Sequence, residues 1–567
     1  MPLSDCREQI LSEDYRDFIV SELQRSEFEE RFEESSCVQQ MGTFFQSYYV
    51  EQELADPINL ENYPYNSIPK CFTLIDMDAM NQAGILQVQS YPNLELQGSG
   101  VLIGFVDTGI DYTNTIFRNL DGSTRIVGIW DQTSQEGSPP EGMLFGTEYN
   151  EILINEALRA ENPFAVVPSR DENSHGTFLA SLAAGGVNEE NQFIGAAPDS
   201  SIAVVKLKPA KQYLKDFYLI GTDTPCYQEN DIMLGVTYLN DLANQLNLPL
   251  IICIALGTNQ GSHSASSPLT NQLDIYANIA ERGIVIGAGN EANQRHHFLG
   301  NLGRENESVE VEIRVDEGVN GFCMELWSEP FNIVRVAVES PSGERTNYFS
   351  IRGGETNYYS FILEQTNLSI DYKVFAERLD AELVFFRVER PTTGIWKVIV
   401  EAVQTTAGNF HMWLPVSEFL AGDVFFLESN ADFTITEPGS TLSGMTVGFY
   451  DGDNNSIDIE SGRGYTRSMR IKPDFVAPGV NVRGLAARGL FVERTGSSIA
   501  AGITAGAAAL IMEWVVYRLG QRGIVSTQIR DLLILGTEKR PQETYPNREW
   551  GYGKLNVYNT FEALRQI

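Results

Sequence analysis

The most constraining feature of this 567-residue sequence is a long run of small, mostly apolar residues near its carboxyl end. A Gly-Ser-Ser turn at residues 496–498 leads into residues 499–512, and the first charge after this run is Glu513. Small apolar residues all round a helix predict a helix buried on every side, and the early charge argues against a membrane span. Ser498 is therefore expected in the first turn of a buried helix, where its hydroxyl is either an N-cap or a nucleophile.

Two other segments favour the nucleophile. Residues 101–106 are a continuous apolar run, typical of a buried parallel strand, and Asp107 follows at the carboxyl end, where open α/β sheets place their sites. His175 begins an apolar, helical stretch and is one of only five histidines. In chain order, Asp107, His175 and Ser498 match one of the orders in which a catalytic triad occurs.

The rest of the chain shows two different patterns. Residues 199–256 alternate strand-like and helix-like stretches, which predicts an α/β fold with a parallel sheet and helices on both faces. Residues 305–432 instead hold short runs of alternating apolar and charged residues, such as 309–315, separated by turn residues. These runs predict an inserted antiparallel β-sandwich or jelly roll. Its role stays open between bracing the fold, recognising a partner and adding rigidity alone.

The segments around these candidates resemble the motifs of the subtilisin-like serine proteases, or subtilases. The similar segments are Asp107-Thr108-Gly109, His175-Gly176-Thr177, residues 496–500, Ala288-Gly289-Asn290, residues 472–479 and residues 547–557. The resemblance covers about residues 75–305 and 433–567. It departs from the family pattern at Ser497, where subtilases usually have Thr, and at Gly502, where Pro is common.

The resemblance implies a serine endopeptidase that requires no cofactor and acts on a protein substrate. It implies that Asp107, His175 and Ser498 are catalytic and that Asn290 contributes to the oxyanion hole. It also implies that the substrate's non-primed side pairs with the backbone of Ala255, Leu256 and Gly257.

The resemblance further implies a prodomain at residues 1–75, a subtilase domain divided between 76–304 and 433–567, and a jelly roll at 305–432. Residues 1–75 have a short strand-helix-strand pattern, as in the small prodomain that subtilases use as folding chaperone and inhibitor; a free accessory domain is the alternative. The extended residues 68–74 are expected to enter the active-site cleft as an added strand. Self-cleavage is expected between about Lys70 and Met80.

Finer features are similar to the Csp germination proteases of clostridial spore-formers: the absence of a signal peptide, residues 104–111 and 130–133, the inserted sandwich and residues 547–557. This resemblance implies a spore protein that activates a cortex-lytic hydrolase by cutting its propeptide. It also implies a retained prodomain and pseudoprotease homologues as partners. One alternative is an occluded pseudoprotease that acts as a germination sensor or scaffold, and another is a cytoplasmic housekeeping subtilase.

Composition limits the partners. The net charge of −36 argues against nucleic acid and anionic membrane surfaces, and no uncharged apolar stretch is long enough to suggest a membrane span. The acidity is compatible with calcium, but no Asp/Asn loop with clear ligand spacing stands out, so no metal-binding residue is predicted. The amino terminus has neither the basic nor the apolar segment of a secretion signal. Synthesis in the cytoplasm and packaging in the spore are therefore expected.

The remaining candidates receive structural interpretations. The six cysteines are scattered without paired spacing, so free thiols are favoured over disulfides. Asp131 and Asp171 are expected to be solvated loop acids. The neighbouring His296 and His297 do not share a helix face and are expected to be surface or structural residues and not metal ligands.

Overall fold

The computed structural model describes residues 3–21, 25, 28, 32, 37–74, 81–92, 94–329, 332–349, 356–373, 381–406 and 408–565. A nine-stranded sheet forms its centre. Eight strands follow the order Ser456–Ile457, Met445–Asp451, Arg282–Gly287, Leu250–Ile254, Leu102–Asp107, Ser201–Lys206, Ile126–Asp131 and Thr147–Asn150, and Phe475–Pro478 pairs with Met445–Asp451. The inner pairs are parallel, and only the two outermost strands, 456–457 and 147–150, run antiparallel to their neighbours.

Helices cover both faces of this sheet, as the alternating pattern predicts. One face packs against Ile85–Ser90, Glu151–Arg159, His175–Ala184, Ser497–Glu513, Ser526–Leu535 and Val557–Leu564. The other packs against Glu229–Leu246 and Pro268–Ala277. The strand Leu102–Asp107 shows why its sequence is continuously apolar: Ile103 and Phe105 belong to the first core, and Leu102 and Val106 belong to the second.

The helix Ser497–Glu513 is buried along its whole length, which confirms the expectation from its composition. Within the described part of the chain, the stretch Ser497–Arg518 is the one that meets the length and hydropathy of a membrane span. Because 94% of its apolar window is buried inside the protein, it is a core helix of this fold.

The N-terminal region forms a separate antiparallel sheet in the order Tyr15–Ser21, Phe45–Glu51 and Cys37–Met41, beside the helix Leu3–Leu11. The prediction of free cysteines is wrong for one pair. A disulfide joins Cys6 on the helix to Cys37 at the start of a strand, 31 positions apart, with 5.2 Å between their Cα atoms. The other four cysteines are buried free thiols. Packing of the helix Leu3–Leu11 on this sheet brings Cys6 and Cys37 together, and sequence spacing does not reveal it.

The inserted region consists of two antiparallel sheets. The first runs His297–Asn301, Asn409–Trp413, Gly321–Ser328, Glu382–Glu389, Asn367–Lys373 and Asn357–Ser360, and the second runs Ile333–Glu339, Gly394–Gln404, Ser308–Val315 and Val424–Phe426. Inward-facing side chains from both sheets form one hydrophobic core, so the region is a β-sandwich. Smaller elements include the helices Gln52–Ala55 and Gln212–Tyr218 and a hairpin of Val482–Leu485 with Phe491–Arg494.

Candidate active site

The buried strand Leu102–Asp107 ends on Asp107, and its carboxylate meets the first residue of the helix His175–Ala184. The Nδ1 atom of His175 lies 2.9 Å from both Oδ1 and Oδ2 of Asp107, and both side chains are buried. Because an ionised carboxylate only accepts hydrogen bonds, this contact places a proton on Nδ1. It leaves Nε2 as the ring nitrogen that can act as a base.

Asp171 holds these two segments together. Its Oδ1 accepts hydrogen bonds from the Thr108 hydroxyl at 2.9 Å and from the Ser174 N–H at 2.8 Å, and its Oδ2 accepts from the N–H and hydroxyl of Thr177. Thr108 adjoins Asp107, whereas Ser174 and Thr177 flank His175. The expectation of a solvated acid is therefore wrong, because Asp171 is only 5% exposed and caps the first turn of the histidine helix.

Asp131 is also buried, so the same expectation fails there for a different reason. Its Oδ1 accepts from the N–H groups of Thr133 and Ser134, and its Oδ2 accepts from the Ser169 hydroxyl at 2.6 Å. These bonds fix a loop beyond the edge of the sheet. Sequence reasoning missed both aspartates, because the capping signal is read at the residue directly before a helix and neither aspartate occupies that position.

Gly176 shows how closely the segments of Asp107 and His175 approach each other. A Cβ atom at this position would lie 2.2 Å from the backbone oxygen of Gly109 and 3.1 Å from Oδ1 of Asp107. No side chain fits in that space, so the glycine of the His-Gly-Thr motif is required by contact between the two loops.

Ser498 lies in the first turn of the helix Ser497–Glu513 and is fully buried. It is not the N-cap: that position is Gly496, whose φ of +150° suits glycine. Among the residues that the structure describes, the Ser498 Oγ has no hydrogen-bond partner. A buried hydroxyl without a partner is costly, which favours a functional explanation over a structural one.

The helix of Ser498 packs closely on the helix of His175. A Cβ atom at Gly506 would come within 2.7 Å of the backbone oxygen of Ala183, so a glycine is needed there for the two helices to approach. At Gly502, where subtilases often have Pro, a Cβ atom would make ordinary contact with Leu179 at 3.5 Å. The small residues of the sequence motif thus set the distance between the two helices.

Asn290 follows the strand Arg282–Gly287, and Ser497 fixes its amide. The N–H of Ser497 donates to Oδ1 of Asn290 at 3.0 Å, while the Ser497 hydroxyl accepts from the Gly289 N–H at the same distance. Because Oδ1 faces a backbone donor, the Nδ2 group of Asn290 is the free end of the amide. It is available to donate to a developing oxyanion.

Comparison with known proteins decides the family. Residues 98–313 and 402–553, more than half of the chain, match the model of the subtilase family, peptidase S8. The chain is a subtilase. The gap between the two matched segments, 314–401, falls within the inserted sandwich.

Solved and curated relatives agree with this assignment. The structure of the Clostridium perfringens CspB protease is similar over 86% of this subtilase and 99% of that chain, with a TM-score of 0.74 and 31% sequence identity. Serine protease AprX of Bacillus subtilis (strain 168) is 31% identical over 148 residues. That match spans 22% of the subtilase and about a third (31%) of the length of AprX. The protein is therefore a subtilisin-type, Csp-like serine endopeptidase.

The segment expected to bind substrate carries a strand of the subtilase's own N-terminal region. Leu256–Gly257 pairs antiparallel with Cys71–Leu74, with Leu256 opposite Leu74 and Gly257 opposite Thr73. The other edge of Cys71–Leu74 pairs with Tyr227–Gln228. Ala255 lies between two strands and belongs to the main core. Residues 75–80, which make up most of the predicted cleavage window, lie outside the described residues.

Three histidines away from the His175–Asp107 contact line a buried aromatic stack. His263, His297 and His411 stack against Trp413, and Nε2 of His297 lies 3.0 Å from Nδ1 of His411. Burial lowers the pKa of His263 to about 4 and that of His297 to about 3, so both are neutral at pH 7. His296 instead contacts Glu291, with Nδ1 2.6 Å from the carboxylate.

Metal ligands were not predicted for this chain. Within the described ranges, no group of three or more His, Cys, Asp or Glu side chains is arranged to hold a metal ion.

Proposed function

We propose that this subtilase is an autoprocessing endopeptidase that activates a spore cortex-lytic zymogen by limited proteolysis during germination. The observation that carries the chemistry is the contact of His175 Nδ1 with both oxygens of Asp107, together with the Ser498 hydroxyl at the start of the adjacent helix, which bonds to none of the described residues. This arrangement supplies an oriented base and a nucleophile whose oxygen is not engaged elsewhere.

In the proposed mechanism, Ser498 Oγ attacks the scissile carbonyl while His175 Nε2 takes its proton. Asp107 holds the imidazole in the required tautomer and stabilises the imidazolium that forms. The Nδ2 group of Asn290 and the backbone N–H of Ser498 stabilise the oxyanion. His175 then donates its proton to the leaving amine, and a water activated by His175 releases the acyl group from Ser498.

The contacts of Cys71–Leu74 support self-cleavage. The strand is hydrogen-bonded on both edges inside the cleft, as the non-primed side of a substrate would be. Cleavage just beyond it, between about Lys70 and Met80, would leave residues 1–75 as a prodomain bound to its own product site.

Similarity to the CspB protease of Clostridium perfringens supports the germination role, because that likeness extends over 86% of the chain. On this proposal the protein is synthesised in the cytoplasm and packaged in the spore, and its substrate is the pro-form of a cortex-lytic hydrolase. The test is to incubate the wild type and Ser498→Ala with the pro-hydrolase of the same cell. The wild type should shorten the pro-hydrolase and the variant should not. If the processed wild type leaves the pro-hydrolase intact, the pro-hydrolase is not its substrate.

A second candidate is a silent subtilase that acts as a germination sensor or scaffold, alone or with pseudoprotease homologues. The full burial of Ser498 and the strand in the cleft favour it. A fluorophosphonate probe separates the two functions in the processed protein. Labelling of Ser498 supports the protease, and absence of labelling on an intact, folded chain supports the sensor.

A further inference from the structure

The N-terminal domain packs against both the protease domain and the inserted sandwich. One buried hydrophobic cluster combines residues of the N-terminal domain, the protease and the sandwich, including Tyr65, Ile68, Phe217, Tyr218, Trp327 and Phe385. The ring of Tyr65 meets the edge of Trp327 with 5.6 Å between centroids, and Phe217 stacks on Phe385 at 5.5 Å. The sandwich therefore shares a core with the N-terminal domain as well as with the protease.

A single carboxylate joins these three parts. Glu325, on the sandwich strand Gly321–Ser328, is only 3% exposed. Its Oε1 accepts a hydrogen bond from the hydroxyl of Tyr65 in the N-terminal domain. Its Oε2 accepts from the indole N–H of Trp327 at 2.9 Å and from the backbone N–H of Gly261 at 3.0 Å.

Gly261 connects this carboxylate to the substrate cleft. It lies four residues beyond Gly257, which pairs with the cleft strand. Its neighbour Gln260 holds the same strand from the side, because the Gln260 Oε1 accepts from the N–H of Cys71 at 3.2 Å. A shift of Glu325 would thus be transmitted to the segment that pairs with substrate.

Tyr65 stands close to the point where the N-terminal domain leads into the cleft. The ammonium group of Lys70, which precedes the cleft strand, lies 4.4 Å from the centre of the Tyr65 ring and donates to the Tyr65 backbone oxygen at 3.2 Å. Lys70 is itself buried and ion-paired with Glu229 at 3.7 Å. Removal of the N-terminal domain would take away the donor to Glu325 Oε1 inside a buried pocket, and such a loss is unfavourable.

We infer that the inserted sandwich forms half of the binding site for the N-terminal domain, and that Glu325 couples occupancy of that site to the substrate-pairing segment Leu256–Gly257. The sandwich is then a docking platform for the chain's own N-terminal segment. The docking role does not depend on proteolysis, whereas the coupling to substrate rests on the proposed function, in which Leu256–Gly257 pairs with substrate.

The test uses full-length protein in the Ser498→Ala background, in which self-cleavage is not expected. Amide hydrogen exchange is measured with Tyr65→Phe, Glu325→Gln and the double variant. The matched control is Glu382→Gln, because Glu382 is a buried carboxylate of the same sandwich whose hydrogen bonds, among the residues that the structure describes, are to Ser328 and Val334.

Each single variant should speed exchange in the N-terminal strands Tyr15–Ser21 and Phe45–Glu51 by about ten-fold, because Tyr65→Phe removes the donor of this buried hydrogen bond and Glu325→Gln replaces its charged acceptor with a neutral amide. The double variant should add little to either single variant. Tyr65→Phe should also speed exchange at residues 257–261, and Glu382→Gln should leave both regions unchanged.

Unchanged exchange in both single variants, or equal acceleration by Glu382→Gln, would overturn the inference. Because Tyr65→Phe removes only a hydroxyl, it decides the matter if Glu325→Gln does not fold. Cleavage of the Ser498→Ala chain at the predicted site would instead contradict the proposed self-cleavage and leave this comparison valid.

Discussion

The N–H of Ser497 donates to Oδ1 of Asn290 across 3.0 Å, so the residue before the proposed nucleophile orients the amide expected to hold the oxyanion. The Ser497 hydroxyl completes this arrangement by accepting from the Gly289 N–H. A serine at this position, where subtilases usually have threonine, therefore still supplies both contacts. The proposed oxyanion hole consists of the Asn290 amide and the backbone N–H of Ser498. The backbone of Ser497 connects these two groups.

Asn290→Ala should lower turnover on the pro-hydrolase by about 10²–10³ with little change in KM, because the amide acts on charge that develops only in the transition state. Asn301→Ala is the control, since this asparagine is the exposed last residue of the sandwich strand His297–Asn301 and bonds to Asn409. Turnover of Asn290→Ala within two-fold of the wild type would exclude Asn290 from the oxyanion hole.

Asp171→Asn should reduce turnover by roughly 10- to 100-fold, because displacing a catalytic group by a fraction of an ångström is costly. In the wild type, the Asp171 carboxylate accepts hydrogen bonds from N–H and hydroxyl groups. In the variant, an NH₂ group faces some of these donors, so the first turn of the His175 helix shifts. Asp131→Asn is the matched control, because it disturbs a similar buried loop without contacts to Ser174 or Thr177. Equal losses in the two variants would show general destabilisation and not positioning.

The wild type should lose its stability advantage over His297→Gln as the pH falls. Burial lowers the pKa of His297 to about 3 from an ordinary value of 6.5, so between these values the unfolded chain binds a proton that the folded protein does not. This difference lowers the wild-type free energy of unfolding by about 2 kcal/mol between pH 7.5 and pH 5.

Urea unfolding of both proteins at the two pH values measures this effect, and titrating groups that do not interact with His297 cancel in the comparison. The wild type should be the more stable protein at pH 7.5, by a margin that shrinks at pH 5. A margin that is constant with pH would show that His297 does not titrate as its burial requires.

Much of the fold could be predicted from local patterns in the sequence. A short run of consecutive residues is enough to predict each of three elements: the apolar strand before Asp107, the helix that begins at His175 and the small-residue helix after Ser498. Their order along the chain then indicated the α/β fold and the family. These elements are predictable because strand burial and helix packing leave a periodic signature in the sequence.

The features that were missed depend on contacts between distant residues. Cys6 meets Cys37 only after the helix Leu3–Leu11 packs on the N-terminal sheet. Asp171 is buried only because its loop folds against the end of the Asp107 strand. Glu325 lies in an otherwise apolar strand, and its partners come from residues 65 and 261. No local pattern marks such a residue as buried, so these three required the structure.

The most direct test of the account is the intact mass and N-terminal sequence of purified wild-type protein and of Ser498→Ala. The proposed chemistry predicts a wild type divided into two fragments that remain associated, with the new amino terminus between about residues 70 and 80. It predicts a single uncut chain of 63.1 kDa for Ser498→Ala. A Ser498→Ala protein cut at the same bond as the wild type would contradict the claim that Ser498 is the nucleophile of self-cleavage.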